Sequence, residues 1–385
     1  MAERAADYEW RGEGKEAEVV LYAPDETVAG LSFEHALRAA RLPGAISPVY
    51  AAAVRPPGPL PLQSLSGTSS GLPGGFGWVA ASETHMAPEL ISVPGWGLLL
   101  IAEAPARVLG EPEEVRRLLS RRLSEAAMPE IGEAETRRVA ESGALWTAGE
   151  GLIEEEDLPF FTGQAGELDS LSRRSLSAGT RDWTRPASVR ALQVSRLLDS
   201  EAAEALGLDT GALALVLYTG AEDLGRLALL GHSERILART TSGVFGAPSD
   251  LPAVPIGTEE AYDLVAATGT MANYAAGRAS LFVYALRGAL GEVAGALSLR
   301  AGWVIGGIEK QEGRALHHNR FAKVGQGETL VAGNSVAVAT GGMLRSAPPF
   351  DAPEEDGRWL WEEVGMLVRA AVLEPLGTRS GEVQG

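Results

Sequence analysis

Between Glu259 and Leu290 the sequence carries its longest helix signal, with Leu264, Val265, Met271, Phe282 and Leu286 at roughly helical spacing. The apolar runs around it are short. Ala212–Tyr218, rich in Leu and Val, reads as a buried strand. Phe76–Ala81, Gly97–Ile101, Ala301–Ile305, Leu330–Val331 and Val336–Val338 read as further strands. A long helix among short strands, with no repeat and no clean boundary, points to one α/β (α+β) domain over residues 1–385, its strands in packed sheets and its helices outside.

Several segments complete this reading. Residues 1–15 look like a disordered polar tail, Glu16–Tyr22 like the first strand, and Ser32–Ala40 like a short helix capped by Ser32. Residues 55–75, rich in Pro, Gly and Ser, form a long loop leading into Phe76. From Glu111 to about Ser142 the pattern is helical, with Val115, Leu118, Leu119 and Leu123 on one face. The pairs Arg116-Arg117 and Arg121-Arg122 read as a solvated face balanced by nearby glutamates, and Glu154–Asp157 as a solvated turn or helix start. Ser188–Leu198 fits a strand or a helix. Gly357–Leu373 reads as a last helix, stopped by Pro375.

Composition narrows the chemistry. There is no cysteine, so disulfides, thiolate metal sites and cysteine nucleophiles are excluded, and a metal site would draw on five histidines and the carboxylates. The net charge is −18, with lysine only at positions 15, 310 and 323. Such a surface repels nucleic acid at long range, so RNA is not the expected partner unless arginines form a local groove. No run is apolar enough to cross a bilayer and Met1–Asp7 has no apolar core, so the expected location is the cytoplasm. Gly71-Leu-Pro-Gly-Gly-Phe-Gly is not a dinucleotide-binding turn, because Pro73 and the following strand argue against a helix opening there.

The order of several segments resembles the RtcB family of RNA ligases. Leu72-Pro-Gly-Gly-Phe-Gly-Trp-Val-Ala-Ala-Ser, followed by Ile91–Ile101, is similar to the family's "LPIGGVAAxD … GVGxDIxCGVRLL". Leu217-Tyr-Thr-Gly-Ala-Glu-Asp-Leu-Gly sits where the family reads "HSGSRGLG", and Ala253–Leu290, with Ala-Asn-Tyr-Ala at 272–275, where it reads "LAAMxxAANYAxANRQ". Leu316-His-His-Asn-Arg-Phe-Ala resembles "WVHRKGA", Val331-Ala-Gly-Asn-Ser resembles "IPGSMG", and Leu373-Glu-Pro-Leu through Val383-Gln-Gly resembles "LxPLxxVKG". The resemblance implies an RtcB-like fold. In active members it also implies joining of an RNA 3′-phosphate to a 5′-hydroxyl with GTP and Mn²⁺.

Laid on those motifs, the family's metal-ligand positions fall on Val93, Trp96, Ser195, Tyr218 and Gly306. Aliphatic, indole and glycine positions offer no donor to a divalent ion, and a Ser–Tyr pair is a poor site. The family's guanylylated histidine motif "HGAGR" has no counterpart, since the chain passes from Thr340-Gly-Gly-Met-Leu almost directly to Ser346-Ala-Pro-Pro. Its terminal lysine has become Gln384. The resemblance therefore implies a degenerate member, a pseudoenzyme with no Mn or GTP, acting through a protein partner in RNA processing. The alternatives are a residual ligase or nucleotide-binding protein and an enzyme of different chemistry reusing the cleft. The best remaining polar cluster is His317-His318-Asn319-Arg320. In a strand, His318 and Arg320 would share one face and could grip an anion, while the plain reading is a polar edge strand. Trp78 and Trp96 read as plugs in the former metal cavity. Arg278 stands at the Asn of the family's "NR" pair, and Glu222-Asp223 replace its Ser-Arg.

Overall fold

The computed structural model describes residues 3–6, 9–22, 33, 36–53, 76–91, 93–106, 110, 114–115, 117–118, 121–122, 129–161, 170–183, 187–197, 200–205, 207–245, 251–311, 313–318, 322–324, 328–330, 338–339 and 371–375. The protein is mixed α/β, built on two main sheets. The first orders its strands β1 (Glu3–Ala6), β2 (Glu9–Glu13), β3 (Glu18–Tyr22), β4 (Ala45–Ala53), β5 (Phe76–Ser82), β13 (Arg314–His318) and β12 (Gly307–Gln311). Only β3 and β4 run parallel. The second orders β11 (Leu297–Ile305), β7 (Gly95–Pro105), β9 (Ala212–Gly220), β8 (Ser188–Leu197) and β17 (Ala371–Pro375), antiparallel throughout. Small ladders join β6 (His85–Met86) to β10 (Val254–Pro255), and β14 (Ala322–Val324) to β15 (Glu328–Leu330) and β16 (Val338–Ala339).

Six helices are bounded among the described residues: α1 (Glu133–Ser142), α2 (Ala144–Gly149), α3 (Ser170–Asp182), α4 (Ser200–Ala205), α5 (Glu222–Thr241) and α6 (Glu259–Ala294). The long helix signal is confirmed as α6. Thr258 caps it, its hydroxyl accepting from the Ala261 amide. One side of α6 lies on the second sheet, where Ala279, Val283 and Leu286 meet Leu98, Leu100 and Leu215. On other sides it packs against α1, α2 and α5, so every residue from Ala267 to Leu281 is buried. That enclosure explains why the middle of α6 is built mostly of small and apolar residues, with Thr268, Thr270, Asn273, Arg278 and Ser280 buried among them. Gly277 lets α1 approach closely, since a Cβ there would collide with Val139 Cγ1. No helix among the described residues is long and apolar enough to cross a membrane.

The two main sheets are joined through Gly306 and Gly307. Strand β11 ends in the second sheet with Ile305 opposite Gly95, and β12 begins in the first with Gly307 opposite His318. The glycines have φ of +75° and +146°, which L side chains adopt only under strain.

Several expectations need correction. Within the stretch expected to be a tail, residues 3–6 and 9–13 form β1 and β2, which extend the first sheet, and Trp10 is buried. The 111–142 pattern is interrupted, because residues 129–132 are not helical and α1 starts afresh at Glu133. Within the acidic run, Glu154, Glu155 and Glu156 are exposed, but Asp157 is buried and ion-paired with Arg287 at 2.5 Å. Residues 188–197 form a strand. The predicted last helix does not reach Leu373, since Ala371–Pro375 is an edge strand on β8. Residues 55–75 and 357–370 lie outside the described residues.

Candidate functional site

The five positions matched to metal ligands come from four motifs, Val93 and Trp96 sharing one, and four of the five gather at one end of the second sheet. Trp96 pairs with Thr219 and Val304, Gly97 with Tyr218, and Gly95 with Gly220 and Ile305, so Val93, Trp96, Tyr218 and Gly306 neighbour the same strand ends. Ser195 does not join them. Strand β8 runs antiparallel to β9 with Ser188 opposite Tyr218 and Gln193 opposite Leu213, which puts Ser195 near the other end of the ladder. Seven residues of strand separate it from Ser188, about 23 Å at ~3.3 Å per residue.

Packing fills this end of the sheet. Trp96 is buried, and its indole N–H donates to Phe160 O at 3.2 Å. The acceptor belongs to the 3-10 helix Glu155–Phe161, which crosses β11 so closely that a Cβ on Gly302 would strike Phe160 O. Val93 points at α5, where a Cβ on Gly225 would lie 2.5 Å from Val93 Cγ1 and 3.0 Å from Met271 Sδ. Among the described residues no three His, Asp or Glu side chains come together as a metal-binding group.

Of the His317–Arg320 cluster, His317 is placed in full. Its Nε2 accepts the Ala87 amide at 3.0 Å, which assigns the ring proton to Nδ1, 3.3 Å from Ala80 O. Both ring nitrogens serve the fold, tying β13 and β5 to the segment after β6. His318 ends β13 opposite Val79 and Gly307, and Asn319 and Arg320 lie outside the described residues, as does Gln384.

Beside the four gathered positions lies a charged cluster that the sequence signalled only through Arg278. This arginine sits in the middle of α6 and is completely buried. Its Nη1 donates to Gly220 O at the end of β9, and its Nη2 to Asp182 O at 2.5 Å. The guanidinium also lies 5.9 Å from the Trp183 ring and 5.8 Å from the Phe282 ring. Asp182 closes α3 and faces the start of α5, a helix whose N-cap, Ala221, has no side-chain acceptor. The Asp182 carboxylate supplies that acceptor from outside, taking the Asp223 amide at 2.9 Å and the Leu224 amide at 3.4 Å. Burial pushes the Asp182 carboxyl up to about 6, against the opposing pull of Arg278 and the two amides.

Tyr274, one turn before Arg278, donates to Gly179 O at 2.7 Å, and burial holds its phenol above the usual range. Asp223 is flanked by Arg181 at 3.5 Å and Arg226 at 3.7 Å. Thr219 adds a buried Oγ1 with no hydrogen-bond partner, next to the Gly220 carbonyl that Arg278 holds. Sequence reading missed Asp182 and Tyr274. The one available signal was an arginine inside an apolar helix, which demands buried acceptors without saying where they lie.

No family model matches the chain, and no curated protein matches it.

Proposed function

We propose that this protein is a non-catalytic, cytoplasmic relative of the RtcB RNA ligases, acting as a binding or regulatory partner of another protein in RNA processing. One observation carries the reading: four positions assigned from three motifs, Val93 and Trp96 from one and Tyr218 and Gly306 from two others, neighbour the same strand ends. Misplaced motifs would scatter, as Ser195 does.

The residues at this locus do not fit manganese. Valine and glycine have no side-chain donor, and the indole N–H of Trp96 is committed to Phe160 O. A histidine nucleophile for GTP would need a free ring nitrogen, and His317 has both engaged. The cluster of Arg278, Asp182 and Tyr274 takes its partners from within the fold, which suits a rigid scaffold better than a reacting centre.

Three measurements on the full chain test this. Elemental analysis after dialysis against Mn²⁺ is expected to find no retained metal. Incubation with labelled GTP is expected to leave no covalent guanylate, and RNA ends bearing 3′-phosphate and 5′-hydroxyl are expected to stay unjoined. Stoichiometric manganese or a guanylated histidine overturns the reading.

A further inference from the structure

In a chain of 51 acidic and 33 basic residues, helix α3 stands apart. Its exposed residues, among those described, are Arg173, Arg174, Ser177 and Arg181, while Ser172, Leu176 and Asp182 are buried. At 3.6 residues per turn these four fall within an arc of about 100°, and the three arginines spread over about 12 Å of helix axis. Among the described residues α3 is the one helix whose exposed charges are all positive.

Arginines on the neighbouring helices are balanced. On α1, Arg137 and Arg138 stand among Glu133, Glu135 and Glu141, and on α5, Arg235 pairs with Asp263 and Arg239 with Glu260. Within α3 no acid lies three or four residues from Arg173, Arg174 or Arg181. The carboxylate at the edge of this face is the buried Asp223, shared between Arg181 and Arg226. Arg226, itself exposed, thereby carries the face onto α5, setting four guanidiniums against one inward-turned carboxylate. Like charges on one face repel one another, and an anionic surface laid over them relieves that repulsion.

The extent of the patch selects the anion. A guanidinium grips a planar carboxylate in two parallel hydrogen bonds, and carboxylates two turns apart on an acidic helix match the 12 Å spread, about eight residues of rise. The Debye length at physiological salt is about 8 Å, so a short segment lying here senses mainly the four guanidiniums. A nucleic-acid strand would run on past them, over a surface whose net charge is −18. We infer that the exposed face of α3, continued by Arg226, docks an acidic segment of a partner protein, its Asp and Glu side chains pairing with Arg173, Arg174 and Arg181. The inference rests on the reading of this protein as a binding partner and supplies that partner's chemistry.

Fluorescence anisotropy tests it, with the full chain titrated into a labelled peptide of alternating Asp and Glu, its Asn and Gln counterpart, or a single-stranded RNA of equal length. The acidic peptide is expected to bind, more weakly as salt rises, and the neutral peptide is not. Arg173→Glu with Arg174→Glu is expected to weaken the acidic peptide at least about tenfold, and Arg173→Gln with Arg174→Gln to act in the same direction. Arg137→Glu with Arg138→Glu makes the identical change of net charge on the balanced face of α1 and is expected to stay within about twofold of wild type. All four arginines are exposed, so thermal melts are expected to be unchanged. No binding of the acidic peptide, an equal loss from the α1 pair, or tighter binding of the RNA overturns the inference. The manganese and guanylate assays read out separately: retained metal ends the pseudoenzyme reading with the peptide result intact, and a failed peptide titration ends this inference alone.

Discussion

Helices α5 and α6 pack against each other antiparallel, with Arg235 paired to Asp263 and Arg239 to Glu260, and each also carries large apolar side chains turned away from the other. Their surroundings differ. Through its middle α6 is covered by a sheet on one flank and helices on the others, whereas α5 is covered only on its inner half. The same sequence property thus has two physical meanings. In α6 it records enclosure, and the one charge admitted, Arg278, has acceptors built around it. In α5 it records a face that folding leaves open.

The largest test of this contrast is Arg278→Leu. It strips the charged donors from Gly220 O and Asp182 O and leaves the Asp182 carboxylate buried beside no cation. The expected loss is about 3–5 kcal/mol in urea unfolding. Asp182→Asn probes the same cluster through pH. The carboxyl rises from 3.8 to about 6 on folding, so its contribution to stability is fully present below pH 3.8 and is lost as pH climbs through about 6. Wild type relative to Asp182→Asn is therefore expected to lose on the order of 3 kcal/mol between acid and neutral pH. Parallel curves across that window would contradict the assigned burial.

Gly277→Ala tests how closely α6 is enclosed. Its methyl meets Val139 Cγ1, and the expected destabilisation is about 1–3 kcal/mol, relieved when Val139→Ala is added. On the open side the effect shrinks. Leu237→Ser on the outer face of α5 is expected to change the unfolding free energy by no more than about 0.5 kcal/mol. A larger loss would mean that this leucine belongs to the core.

What the sequence discloses follows from the range of the forces involved. The start of α6 and the strands at β7 and β9 were legible because burial writes itself into a local apolar pattern, although α6 runs four residues past the expected Leu290. Strands β1 and β2 were not, because an edge hairpin of Glu and Arg needs little apolar periodicity and is recruited by β3. The C-terminal end was misread for a related reason. Pro375 ends a helix, but it is equally at home on an edge strand, where its missing N–H faces no neighbour. Of the site, the burial of Trp96 was legible from residue size and its place in an apolar strand. The plain reading of a polar edge strand does not hold for His317: β13 lies between β5 and β12 and the ring is fully buried, held by Ala80 and Ala87, which lie more than two hundred residues away and leave no local signal. Asp182 stayed hidden for the same reason, being joined to Arg278 only by the fold.

The carboxylate seated at the head of α5 has a consequence for traffic at this surface. Two backbone amides that could greet a dissolved phosphate already hold a rival anchored to the same polypeptide, one that never diffuses away. While Asp182 stays ionised, that doorway is shut from the inside.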